Sequence, residues 1–232
     1  MLDLLGYTAI FTLIIFMVSS IAVLASGSPV LRIAAAAVAA AWSGFATGAA
    51  SLGVVAISYP FPMIGLCLIT PLILGVLAGA YGPFRASFAS VPTPWLIILN
   101  TGRIAAILFL ALASAGRLAG PFPFFAGWGD IITGVVSIPL ALALARTGIP
   151  RKGLAAAILA WNIFGTADLI CAIILGVTSA SGSPLQVFHS PPGSEAMQFL
   201  PFSLIPTVLV PFYLLIHGVI FVRIIPILRA RG

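Results

Sequence analysis

Residues 153–178 read GLAAAILAWNIFGTADLICAIILGVT, and this stretch decides the class of fold. It is 26 residues long, carries a single charge at Asp168, and follows the basic pair Arg151 and Lys152. A helix rises about 1.5 Å per residue, and crossing a hydrocarbon core takes roughly 20 mostly apolar residues. In lipid every backbone N–H and C=O must be bonded inside the protein, which admits only helices or closed barrels. The stretch lacks the short alternating pattern of barrel strands. It reads as one membrane-spanning helix.

The rest of the chain repeats the pattern. Of 232 residues, 62% are apolar and 6% charged, against about 25% charged in an ordinary soluble domain. Reading between Gly, Pro and charge clusters predicts seven spans: Leu4–Ser26, Leu31–Ile57, Phe61–Tyr81, Trp95–Ala115, Phe122–Arg146, Gly153–Thr178 and Gln198–Val222. Segments three and four are parted by Gly82-Pro83-Phe84-Arg85 and Val91-Pro92-Thr93-Pro94, whereas only the tight Tyr59-Pro60-Phe61-Pro62 turn parts two from three. The first run opens with Asp3 rather than a basic stretch and has no evident cleavage site, so it reads as a retained helix. The expected fold is a single all-α transmembrane domain over residues 1–232, a bundle of seven helices.

Basic residues set the orientation, because short cytoplasmic loops carry the excess of Lys and Arg. Arg32, Arg85, the Arg146/Arg151/Lys152 group and the Arg223/Arg229/Arg231 tail all fall on one side. The other side has Arg117 near a helix end. The N-terminus is therefore expected outside and the C-terminus in the cytoplasm, as in the cytoplasmic membrane of a bacterium. A net charge of +6 on a soluble chain would raise the question of nucleic acid. Here the bases sit at segment ends, and the partner they imply is the bilayer.

Ionisable side chains at membrane depth are functional candidates by default. Four stand out: Arg103, Asp130, Asp168 and His217. Counting along each helix puts Asp130 about 12–14 Å, Asp168 about 15 Å and Arg103 about 18–20 Å from the outer ends of segments five, six and four. Short loops make those three segments neighbours, so the groups are expected to meet near mid-membrane. One Arg against two Asp leaves a net −1. The expectation is one Asp paired with Arg103 and the other protonated or bound to a cation.

Helical spacing adds supporting residues. Asn100 lies one turn from Arg103 and is placed to orient it. Trp161, Phe164 and Gly165 share the face of Asp168, while Asn162 points to another contact. Ser203, Pro206, Val210, Tyr213 and His217 form one stripe, with His217 near the inner end. The settings Gly127-x-x-Asp130 and Gly165-x-x-Asp168 resemble each other over a few residues, in the manner of an inverted repeat or of chance. Pro201, Pro206 and Pro211 make the outer half of segment seven irregular. The loop 180–197 reads as a surface connection or a partial lid.

No cofactor is expected. Lys152, the one lysine, lies in a loop and cannot form a membrane-embedded Schiff base. His189 and His217 are too few and too far apart for a bis-histidine haem or a zinc hydrolase. Cys67 and Cys171 read as small core residues, and no glycine loop is placed to cradle phosphate. Ser43 with His217 lacks a surrounding nucleophile motif, so no catalytic residue is assigned. Two classes of function lead, with an enzyme third. One is a small transporter or channel whose Arg103–Asp130–Asp168 centre binds a proton, a cation or a small polar solute. The other is a non-transporting sensor, or a subunit that stabilises a complex, in which the same charges are structural.

Overall fold

The computed structural model describes residues 1–24, 29–56 and 63–229, and among these it contains helices and turns with no strand. Seven helices are long and apolar enough to cross a membrane: α1 Leu2–Leu24, α2 Pro29–Ser51, α3 Met63–Ala80, α4 Thr93–Ser114, α5 Phe122–Thr147, α6 Lys152–Ser179 and α7 Ile205–Arg229. The expected ends at Ser26, Ile57 and Phe61, the Tyr59–Pro62 turn and Arg231 lie outside the described residues.

The structure departs from the sequence reading at three elements. Gly82–Ala89, expected as a break, is a short helix, because Pro83 occupies its first turn, where a missing N–H is tolerated. Segment seven does not begin at Gln198. Pro201 and Pro206 remove two N–H donors, residues 199–203 form turns, and the helix opens at Ile205 with a π-helical stretch, Ile205–Leu209. It then continues to Arg229, past an internal Pro226. Finally, α4 is not uniform. Its centre, Leu99–Ala106, is a 3-10 helix flanked by α-helical Thr93–Ile98 and Ile107–Ser114. Runs of that length are uncommon and often mark a hinge or strain.

Packing is unequal. The tightest contacts join α4, α5, α6 and α7, whereas α3 lies mainly against α7 and α2 mainly against α1. Glycine lets the inner helices approach: a Cβ at Gly134 would crowd Ile104 and the carbonyl of Asn100 across the α4–α5 seam. Such close approach drives helix association in lipid, where apolar surface alone gives no preference for protein over acyl chains. Large apolar side chains including Ile33, Phe45, Val76, Phe125 and Trp128 point outward, as a lipid-facing surface requires.

The loop 180–204 is a folded cap. Val187 and Phe188 donate backbone N–H groups to the Thr178 carbonyl at 2.8 and 3.0 Å, and Ala119 donates to Gly193 at 2.9 Å. Ser194 Oγ donates to the Gly176 carbonyl at 2.6 Å. Phe202 is buried against Gly6 of α1, with the Arg117 guanidinium 5.7 Å from its ring centre. Arg117 also pairs with Asp3 at 2.7 Å, joining α1 to the α4–α5 connection.

Candidate functional site

Arg103 sits on the 3-10 segment of α4, buried, and its guanidinium reaches three other helices. Nε donates to Asp130 Oδ1 of α5 at 2.5 Å and Nη2 to Asp168 Oδ2 of α6 at 2.6 Å. Nη1 donates to the Gly165 carbonyl at 3.2 Å and meets Nε2 of His217, from α7, at 2.9 Å. A guanidinium has five N–H groups in a planar fork, and these contacts engage four of them. The Tyr213 ring centre lies 5.9 Å from the guanidinium carbon, within cation–π range.

Donor and acceptor logic fixes the state of His217. A guanidinium can only donate, so Nε2 must present its lone pair. The ring proton is then on Nδ1, which donates to Asn162 Oδ1 at 2.7 Å. Asn162 Nδ2 in turn donates to the His217 backbone carbonyl at 3.0 Å. One amide thus grips both the ring and the main chain of its partner. Trp161 closes the site beneath, its indole N–H donating to the Thr133 carbonyl at 2.9 Å and its ring 5.4 Å from the imidazole.

The three groups expected to converge do so, but the expected division of partners is not what is seen. Both carboxylates bond to Arg103, on different nitrogens of the one fork. His217 is not near a helix end: α7 begins and finishes about seven residues later than the sequence reading, which moves His217 to its middle, level with Arg103. Asn100 does not orient Arg103. Its Nδ2 donates instead to the Leu96 carbonyl, one turn back along the same helix, at 3.1 Å. Phe164 stands 45% exposed on the outer face of α6, so the aromatic wall is Trp161 alone. Gly127 packs on Leu110 and Gly165 on His217, so the two Gly-x-x-Asp settings do different work.

Two contacts had no signal in the sequence. The Gly165 carbonyl accepts from Arg103 although residue type says nothing of it. Asp168 lies where any Cβ on Gly129 would overlap its carboxylate. A cavity of about 40 Å³ adjoins the centre, bounded by Arg103, Asp130, Tyr213 and apolar side chains of α1, α4, α6 and α7. A separate one of about 170 Å³ lies between Pro92, Gly148 and Arg223 and shares no lining residue with it.

Residues 61–225 match a protein family described as Domain of unknown function (DUF8737). The matched segment holds α3 to α6, α7 as far as residue 225, and every residue of the centre. No curated protein and no solved structure matches the chain.

Proposed function

The chain belongs to the DUF8737 family, and we propose that it is a proton-linked transporter whose exchange centre is Arg103, Asp130 and Asp168. We place it in the cytoplasmic membrane of a bacterium, N-terminus outside, on the strength of the basic residues that cluster at alternate helix connections. The observation that carries the functional reading is a charge imbalance. One guanidinium is bonded to two carboxylates, so with both acids ionised the buried centre holds a net −1. A single excess charge at low dielectric is expensive, and a proton is the lightest species that removes it. The same proton loosens a bond that ties two helices, which couples occupancy to helix packing.

A second reading is favoured by the saturation of the centre. Four engaged N–H groups and a cavity of only about 40 Å³ also suit a structural keystone in a sensor or a complex-stabilising subunit. Purified protein in liposomes loaded with a pH-sensitive dye separates the two. A panel of cations, sugars, amino acids and organic anions is applied outside, and internal pH is followed. Transport predicts that at least one solute shifts internal pH faster than in empty vesicles, and that Asp130→Asn slows the shift tenfold or more. Wild-type vesicles as tight as empty ones across the panel would refute transport and leave the structural reading.

A further inference from the structure

We propose that the centre takes a small monocarboxylate together with one proton, the anion replacing Asp130 on Arg103 while the proton neutralises Asp130. This names a substrate class for the transporter proposed above and rests on the same centre.

The two aspartates are not equivalent. Asp168 is wedged against the α5 backbone at Gly129, where a side chain would have no room, and it does not line the small cavity. Asp130 does line it, beside Arg103 and Tyr213. An incoming ligand therefore meets Arg103 on the side where Asp130 is bonded, and the Asp168 pair stays in place.

The sign of the ligand follows from what fills the middle. Asp130, Asp168 and His217 surround a guanidinium, and among the described residues no group of three or more His, Cys, Asp or Glu could hold a metal ion. A cation entering the cavity would face Arg103. An anion would find a planar fork that matches a carboxylate in geometry. An anion alone raises the net charge from −1 to −2, whereas an anion with a proton leaves it at −1. Where both acids are ionised before binding, the anion therefore comes with a proton; where Asp130 already holds one, that proton stays. The O–H bond of Asp130 is the one bond formed, the proton is supplied by solvent, and it returns there when the anion leaves. The facing groups are Arg103 from α4, Asp168 from α6, and Tyr213 and His217 from α7.

Size follows from the walls. Apart from Arg103, Asp130 and Tyr213, the cavity is lined by glycine, alanine and larger apolar residues such as Ile10, Leu13, Phe109 and Leu209. Its volume of about 40 Å³ exceeds the roughly 10–15 Å³ that one water needs. A tail of one or two carbons fits beside a carboxylate that takes over the Asp130 position.

The test is calorimetric titration of the full-length protein in detergent with formate, acetate, propionate and benzoate, chloride being the control. Titrations run from pH 5.5 to 7.5 in two buffers of different ionisation enthalpy. The expected result is saturable binding of acetate or propionate but not benzoate, with one proton taken up per anion where Asp130 is ionised in the free protein. Kd should then weaken tenfold per pH unit over the same range. Asp130→Asn, nearly isosteric with the protonated acid, should bind with no proton uptake and no pH slope. Folded wild-type protein that binds none of the acids, binding without proton uptake at any pH, or a pH slope surviving in Asp130→Asn would each overturn the proposal. If another solute moves protons into vesicles while no carboxylate binds, this inference fails and the transporter reading stands. Carboxylate binding with proton uptake, in protein whose vesicles pass nothing, does the reverse.

Discussion

Arg103 Nη1 lies 2.9 Å from His217 Nε2, so a cation donates to the lone pair of a neutral imidazole in the middle of the bundle. The arrangement needs a third party. Without Asn162 to accept from Nδ1, the ring could turn or shift its proton to Nε2, and Nε2 would then oppose the guanidinium as a second donor. Asn162 is therefore a positioning residue for His217, and through it for Arg103.

Asn162→Ala should remove both bonds to His217 and leave its buried Nδ1–H without a partner, while its carbonyl keeps the helical bond. A stranded buried polar group costs about 1–3 kcal/mol, so thermal unfolding in detergent should fall by several degrees. The ring nitrogens give a sharper readout. In protein carrying ¹⁵N-histidine, wild type should show His217 with a protonated Nδ1 and a bare Nε2. In Asn162→Ala that assignment should be lost or mixed. An unchanged tautomer would sink the positioning role.

Gly129 is where Asp168 and the α5 backbone meet. Gly129→Ala should push the carboxylate off Arg103 and destabilise by about 1–3 kcal/mol, the usual range for overpacking. The same change in an Asp168→Ala background should cost distinctly less, because the clashing group is gone. Coupling of about 0.5–3 kcal/mol between contacting sites is ordinary. Strict additivity in this double-mutant cycle would contradict the contact.

Arg103 neutralises a pair of acids, and removing it alone should be worse than removing all three charges. Arg103→Leu leaves two buried carboxylates unpaired, a change of about 3–5 kcal/mol in comparable buried pairs. The triple variant Arg103→Leu/Asp130→Asn/Asp168→Asn should recover part of the lost stability and yield. Yield of monodisperse protein by size exclusion, with unfolding temperature, measures both. A triple variant less stable than Arg103→Leu would show that the charges do not answer one another.

The number of long apolar helices was legible because each rests on composition and length, which survive any error in register. The meeting of Arg103, Asp130 and Asp168 was legible for a related reason. Depth along a helix is a count of residues, and short loops make neighbours. His217 was misplaced because three prolines, at 201, 206 and 211, blur where a helix starts, and depth counted from a wrong start is wrong by the same amount. Asn100 was misread because spacing fixes a face and not a partner, and its amide bonds to the Leu96 carbonyl of its own helix. The Gly165 carbonyl was beyond reach, since backbone acceptors look alike in a sequence. The loop 180–197 reads as a surface connection or a partial lid, and the Ser194 hydroxyl binds it to the end of α6.

The tight winding at the middle of α4 implies a stroke. Leu99–Ala106 rises about 2.0 Å per residue at three residues per turn; ordinary α-helix rises about 1.5 Å at 3.6. Relaxing those eight residues would shorten the helix by about 4 Å and unwind it by about 160° in all. Arg103, the fifth of them, would swing through about 100° relative to the Thr93 end. A change of winding inside one helix would thus turn the guanidinium about the helix axis with neither end of that helix tilting.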